Sequence, residues 1–382
     1  MALEPHPLLD DLGRGIVDDI GGLEWPSADS ALSQRDREGT FSWDDWRRCS
    51  KLGLCGLPAP VSLGGQGATR VATAGALEAL GYECADRGLV FSLNAHLWSA
   101  VIPLWQFGSS VQQERYLARL CSGEWIGLHA ITEPDSGSDA FALATTARRD
   151  DGGYTLSGRK ALITNAPVAR VFLVFARSPG TEGPLGVTAF IVDADTEGVQ
   201  VGAPASKVGL RTSPLSEIHF DDVRLNADAV VGRAGRGALI LAKSMEWERL
   251  LIMAAQLGAL SRSIEAAADL IRDHERGPAR TAEAEGIADV RAKASAARAL
   301  LYETAWRYDR GDAGDGAEAA SVKLVAAETV LAGALNLIDL VGQPAGDEAL
   351  PFARGLRDGI GAPIYSGTSQ IMRRIIARSM GL

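Results

Sequence analysis

The sequence predicts a mostly α-helical protein with a central β domain, on three observations. Apolar residues recur at three- and four-residue spacing up to about Ser122, they do so again after Gly237, and between Trp125 and about Val231 the pattern changes to short β-rich runs joined by turns. A chain of 382 residues, 46% hydrophobic and 23% charged, is long enough for two or three packed domains. The predicted division is an N-terminal α-helical domain over residues 1–124, a middle β-barrel domain over 125–233 and a C-terminal four-helix bundle over 234–382.

In the first region helical spacing covers 43–54, 71–82 and 111–120, interrupted by Pro58, Pro60 and the loop Gly64-Gly65-Gln66-Gly67. No G-x-G-x-x-G follows a strand there, so a dinucleotide-binding βαβ fold has no support. In the middle region Asp151-Gly152-Gly153 reads as a hairpin turn between 145–147 and 154–156, while 171–175 and 187–192 are rich in β-branched and aromatic residues. The last region holds three long helical stretches, 238–273, 288–310 and 317–341, and a shorter helix from near Thr368.

The first of these stretches is apolar on two faces. Leu250, Met253, Leu257, Leu260, Ile264, Ala267 and Ile271 form one stripe, and Leu241, Met245, Ile252, Ala255 and Ala259 form another, so the helix is buried on both sides. Glu248 falls in register within the second stripe. A carboxylate there is paired, protonated or used chemically, and Arg249 and Lys243 are the neighbours that would pair it.

Charge and residue content exclude several classes. A net charge of −10 argues against nucleic acid and acidic membrane surfaces as partners, because both need clustered Lys and Arg. Cys49, Cys55, Cys84 and Cys121 include no C-x-x-C pair and the five histidines are scattered, so no metal site is expected. No unbroken apolar run reaches the roughly 18 residues of a membrane span. The N-terminal Met-Ala-Leu-Glu-Pro-His-Pro lacks the basic and then apolar order of a secretory signal, and a cytoplasmic location is expected.

The segment Ala130-Ile131-Thr132-Glu133-Pro134-Asp135-Ser136-Gly137-Ser138-Asp139 resembles the signature of the flavin-dependent acyl-CoA dehydrogenase family. Further motifs follow in family order. Lys160-Ala161-Leu162-Ile163-Thr164-Asn165 is similar to K-x-W-I-T-N, Phe220-Asp221-Asp222-Val223-Arg224-Leu225 to F-x-D-V-x-V, and Tyr365-Ser366-Gly367-Thr368-Ser369-Gln370-Ile371 to Y-E-G-T-S-Q-I. Leu54-Cys55-Gly56-Leu57-Pro58 before Gly64-Gly65, and Phe107-Gly108 before Tyr116-Leu117, extend the resemblance over essentially the whole chain. It implies an α domain, a β barrel and a four-helix bundle.

FAD is the implied cofactor, with Ile131, Thr132, Gly137, Ser138, Thr164, Arg276, Gly342, Thr368 and Gln370 around it. The threonine and serine hydroxyls are compact donors suited to a ring rich in heteroatoms, and Thr164 matches the family threonine near flavin N5. Thr368 and Gln370 open a helix whose free N–H groups and positive dipole end suit the anionic or adenosine part of a dinucleotide. For the substrate, the resemblance implies Ser138, Phe91, Ala95, Glu246, Arg249, Tyr365 and Gly367, with bulky Phe91 limiting the pocket to short or medium acyl chains.

At the family's commoner position for the catalytic glutamate stands Ser366, whose hydroxyl is too weak a base to take a thioester α-proton. One branch of the family carries its base in an E-R-L string on the first long bundle helix. Here that string is Glu248-Arg249-Leu250, which contains the acid singled out by periodicity. Ser366 would then serve only through its backbone N–H, as a donor to the thioester carbonyl. Three departures concern the flavin: His274-Glu275-Arg276-Gly277-Pro278 lacks the aromatic of R-x-x-F-G, which touches a neighbouring subunit's flavin; Gly342-Gln343-Pro344-Ala345-Gly346 replaces G-G-x-G-Y; and Leu162 replaces the strand tryptophan.

The implied activity is FAD-dependent dehydrogenation of a saturated acyl thioester, carried on coenzyme A or an acyl-carrier protein, to the trans-2-enoyl product. Glu248 would take the α-proton and the β-hydrogen would leave as hydride to the flavin. The resemblance also implies an electron-transfer flavoprotein as acceptor and a homodimer or homotetramer. Two alternatives stay open: a related flavin oxidase or N-oxygenase using O₂, and a structural partner subunit without flavin.

Overall fold

The computed structural model describes residues 4–27, 30–178, 184–272, 278–312 and 314–382. In the N-terminal helical region, Arg70–Glu83 begins at Thr69, whose hydroxyl accepts from the Ala72 N–H at 3.1 Å. This helix is buried on nearly every side and packs against the bundle helix Ala254–Arg272. Two glycines let the backbones approach: a Cβ at Gly81 would lie 1.9 Å from Ala255 O, and one at Gly258 2.0 Å from Glu78 O. Arg87–His96 continues through a wider turn, Leu97–Val101, into Ile102–Phe107. The helical run expected over 111–120 is present with a similar wide turn at Gln113–Leu117.

The middle region is one eight-stranded sheet: β1 Gly127–Ala130, β2 Thr146–Arg149, β3 Gly153–Thr164, β4 Val171–Arg177, β5 Val187–Asp193, β6 Val199–Val201, β7 Leu215–Asn226 and β8 Val230–Val231. Its hydrogen-bonded path runs β6-β7-β3-β2-β4-β5-β8, with β1 parallel to β4. Antiparallel β2 and β3 pair Arg149 with Tyr154 across the turn expected at Asp151-Gly152-Gly153. Strand alternation then separates two environments. Leu128 and Ala130 of β1 join the sheet's own core with Phe172, Val174 and Phe190, whereas Ile131 just beyond it and Leu173 and Phe175 of β4 pack into the helical core.

The bundle departs from its sequence reading in two places. The stretch expected over 238–273 is two helices, Gly237–Leu251 and Ala254–Arg272, separated by Ile252 and Met253. Both linking residues are buried and apolar, so the periodicity runs straight through the break and neither Gly nor Pro marks it. The second helix, Pro278–Asp309, begins ahead of the expected 288, because Arg280-Thr281-Ala282-Glu283-Ala284-Glu285-Gly286 presents no apolar face to read. Ala317–Val341 has its expected bounds, and Ser369–Ser379 is capped by Thr368, which accepts from the Ile371 N–H at 3.2 Å. A further helix, Pro351–Gly359, was not expected.

Three helical stretches, Arg87–Phe107, Gly237–Arg272 and Ala317–Val341, have the length and mean hydropathy of a membrane span, although each contains charged residues. The most apolar parts of the first two are mostly buried inside the protein, which accounts for their composition. The most apolar part of Ala317–Val341 is mostly not buried, and the helix turns Val325 and Leu335 outward.

Candidate active site

Glu248 sits in the last turn before the helix break and is 8% exposed. Its Oε1 accepts a hydrogen bond from Ser366 Oγ at 2.5 Å, while Oε2 is buried and has no hydrogen-bond partner among the described residues. Neither neighbour suggested by the sequence pairs with it. Lys243 instead binds Glu246 at 2.8 Å, and Arg249, largely buried beside Gly367, leaves its Nε without a partner. Burial lowers the Arg249 pKa, and the Glu248 charge opposes that shift.

Ser366 reaches the carboxylate because its loop takes an unusual path. Ser366 has φ 59° and Gly367 φ 91°, two consecutive left-handed residues between the turn at Ala362 and the capped helix. A fully buried lysine fixes that path: Lys323 Nζ donates to Ala362 O at 2.9 Å and to Gly367 O at 2.7 Å. Burial pushes the Lys323 pKa down to about 8, with Glu248 acting in the opposite direction. The Ser366 N–H makes no hydrogen bond within the described chain, so it is free to donate to a ligand. Tyr365 packs its ring 4.7 Å from that of Phe91 and donates its hydroxyl to Met253 Sδ at 3.6 Å, which places Phe91 and the helix break against the same loop.

A second wall comes from the sheet. His129 alternates with Leu128 and Ala130 and so shares the helical-side face with Phe175, with which it makes an edge contact at 6.4 Å. Its Nδ1 is buried without a partner; burial holds its pKa below the ordinary value, and the Glu248 charge works against that shift. Beside it, the Ala161 N–H donates to Thr132 O at 2.9 Å, which brings Thr132 alongside the bulged end of β3. There Leu162 has φ 56° and is 67% exposed, an apolar side chain held outward on a strained backbone. The hydroxyls of Thr132 and Thr164 have no partner among the described residues. Behind this edge, Glu133 accepts from Lys160 at 2.7 Å, from Ala144 N–H at 2.6 Å and from Thr145 N–H at 3.0 Å. Burial raises the Glu133 pKa, but the Lys160 ammonium outweighs it and holds the carboxyl below its usual range.

The structure thus brings Glu248, Ser366, Arg249, Tyr365, Gly367 and Phe91 together, with Ala95 one turn along from Phe91. Ile131, Thr132 and Thr164 form the adjoining sheet edge. Gly137 and Ser138 lie exposed on the following loop, with open space where a Gly137 side chain would be. Gly342, Thr368 and Gln370 lie at helix ends; the Thr368 hydroxyl is used in capping and Gln370 is exposed. Glu246 is occupied elsewhere, by Lys243 and by Arg70 at 3.5 Å, on another side of the helix. Arg276 lies outside the described residues. Sequence reading missed Lys323, His129 and the Glu133–Lys160 pair; a lysine within the hydrophobic run 317–341 was the one signal available for Lys323.

This geometry, a buried carboxylate facing a helix-capped loop next to an edge of free hydroxyls, belongs to a known class. The acyl-CoA dehydrogenase N-terminal, middle and C-terminal domains match residues 28–124, 129–223 and 235–381. The chain belongs to the acyl-CoA dehydrogenase family. It is 37% identical to an L-prolyl-[peptidyl-carrier protein] dehydrogenase of Pseudomonas fluorescens over 90% of this chain and 91% of that protein, and 32% identical to an acyl-CoA dehydrogenase of Bacillus subtilis over 96% of each. Among solved structures it is similar to the prolyl acyl carrier protein oxidase AnaB, with TM-score 0.93 and 35% identity over 98% of this chain and 100% of that one. PigA with FAD and proline gives TM-score 0.93 and 33% identity over 99% of both. As a member of this family the chain is an FAD-dependent oxidoreductase that dehydrogenates acyl thioesters. The Thr132 and Thr164 hydroxyls, compact donors without a partner among the described residues, would suit the heteroatom-rich ring of FAD, which would supply the hydride acceptor.

Proposed function

We propose that the substrate is a prolyl group carried as a thioester on a peptidyl-carrier protein, and that Glu248 is the base that takes its α-proton. The observation that carries the catalytic part is the unpaired, buried Glu248 Oε2 opposite a loop whose Ser366 cannot serve as base. The substrate part is supported by the similarity to proteins named for prolyl carriers, together with bulky Phe91 packing against Tyr365 of the loop that holds Ser366. FAD, when bound, supplies the hydride acceptor. The chain's own residues do the rest: Glu248 Oε2 accepts the proton, and the free Ser366 N–H donates to the thioester carbonyl oxygen as negative charge develops there. The reading includes a cytoplasmic homo-oligomer that passes its electrons to an electron-transfer flavoprotein. A second acceptor, O₂, is favoured by the similarity to a protein named as an oxidase and by the leucine at the flavin-side strand position.

The test is anaerobic flavin bleaching with prolyl-carrier thioester, prolyl-coenzyme A and butyryl-coenzyme A. The prolyl carrier should bleach fastest, and slow recovery on admitting air would favour the flavoprotein acceptor over O₂. Preferential bleaching by butyryl-coenzyme A would overturn the prolyl assignment.

A further inference from the structure

The serine at the position of the commoner base is not a vacancy filled by a small residue. Its Oγ lies 2.5 Å from Glu248 Oε1 and donates to it, and it does so from a backbone at φ 59°, a conformation that costs a residue other than glycine. The two oxygens of the carboxylate are consequently unlike: one is bound, the other is buried and unpaired. A carboxylate with a single anchored oxygen has its rotation fixed, and the open lone pairs of the other oxygen then point in one direction.

We propose that Ser366 is a positioning residue for the base: its hydroxyl anchors Glu248 Oε1 so that Oε2 alone receives the substrate α-proton. The proposal rests on Glu248 being the base. The proton moves from the substrate α-carbon to Oε2, while the Ser366 O–H stays with its oxygen and remains the donor to Oε1 throughout. Ser366 therefore has two separate functions in one residue, the N–H toward substrate and the O–H toward the base.

The test compares Ser366→Ala with Ser366→Gly. Both remove the donor, but glycine relieves the left-handed backbone and alanine does not, so a role through loop conformation would separate the two variants and a role through the hydroxyl would not. Both should keep bound FAD and lower anaerobic flavin reduction about ten- to a hundredfold, the loss of one hydrogen bond to a charged group. Both should lower kcat while leaving KM for the thioester within about twofold, because the hydroxyl touches the base and not the substrate. Other charged or titratable groups face Glu248: His129 from β1, Arg249 on its own helix, Lys323 from Ala317–Val341 and Tyr365 from the loop. The kcat defect should therefore persist when His129 is replaced by Gln. In a Glu248→Gln background, replacing Ser366 should cost little more. If Glu248→Gln reduces its flavin at the wild-type rate, the base assignment fails. If Glu248→Gln is inactive while both serine variants keep the wild-type kcat and KM, the positioning role alone fails. An alanine defect with normal glycine behaviour also overturns it.

Discussion

The oxygens of Glu248 differ in what surrounds them, and that difference is worth testing at the level of a single atom. Glu248→Gln keeps the size and leaves Ser366 an acceptor, but removes the basic lone pairs. Flavin absorbance should be unchanged and anaerobic flavin reduction should fall by about 10² to 10⁴. A rate within a factor of three or so of wild type would make Glu248 a buried structural acid. This residue was legible in the sequence because a lone acid interrupts an otherwise apolar face, and the E-R-L string agrees with it. His129 was not legible, since the side of a strand on which one residue lies depends on a register that a four-residue β1 does not reveal. Nor was the Ser366–Glu248 bond, which joins residues 118 positions apart and depends on a left-handed Ser366, a conformation that a serine does not announce.

Between residues and whole molecule stands the loop from Ala362 to Thr368, suspended on Lys323. An ammonium buried completely inside an Ala- and Val-rich helix is costly unless its protons are used, and here two of them are given to loop carbonyls. Lys323→Met removes both donors while retaining most of the volume, leaving two carbonyls unsatisfied. Unfolding of the FAD-loaded protein should lose roughly 2 kcal/mol or more, and flavin reduction should slow because Ser366 is no longer fixed. Unchanged stability and rate would show that the loop holds itself. Elements were legible in proportion to how one-sided their packing is. Ala317–Val341 could be bounded from its hydropathy, whereas the division between Gly237–Leu251 and Ala254–Arg272 was hidden by apolar residues on both sides of it. That division lies immediately after the base and under Tyr365, so the feature least visible in the pattern is the one that shapes the site.

For the molecule as a whole, buried histidines set an acid limit. His96 is fully buried, with Nε2 donating to Cys55 O at 3.1 Å and Leu120 O at 3.2 Å and Nδ1 accepting from the Gly127 N–H at 3.0 Å, and burial pushes its pKa down to about 4. The unfolded chain takes up that proton from about pH 6.5 downward and the folded one does not until about pH 4. Stability is therefore present above 6.5 and declines across that interval, by roughly 3 kcal/mol for this residue; the Glu133–Lys160 pair, whose carboxyl is held low, loses its contribution in the same direction below that. Melting temperatures measured from pH 7 to pH 4 should fall steadily, and a flat profile would mean that His96 is protonated in the folded state.

The same scale bears on assembly. Val325 and Leu335 are 39% and 50% exposed on Ala317–Val341, sharing a face with exposed Glu328 and Asp339, so one chain leaves large apolar side chains uncovered along a helix of high mean hydropathy. That helix ends at Gly342, one of the residues the family resemblance implies around FAD, and the same resemblance implies that the segment around Arg276 touches the flavin of a neighbouring subunit. If that face is where a second copy docks, association and cofactor retention are coupled, because a cofactor bound across two chains stabilises their contact by mass action and is lost when they part. The double change Val325→Lys with Leu335→Lys places charge on the exposed side only, so the helical circular dichroism of the fold should survive. Light scattering should then show a smaller mass than for the wild type, and FAD should dissociate at least about tenfold more readily, a loss of roughly 1.4 kcal/mol of binding. Wild-type mass and wild-type FAD retention in the variant would place the interface on another surface.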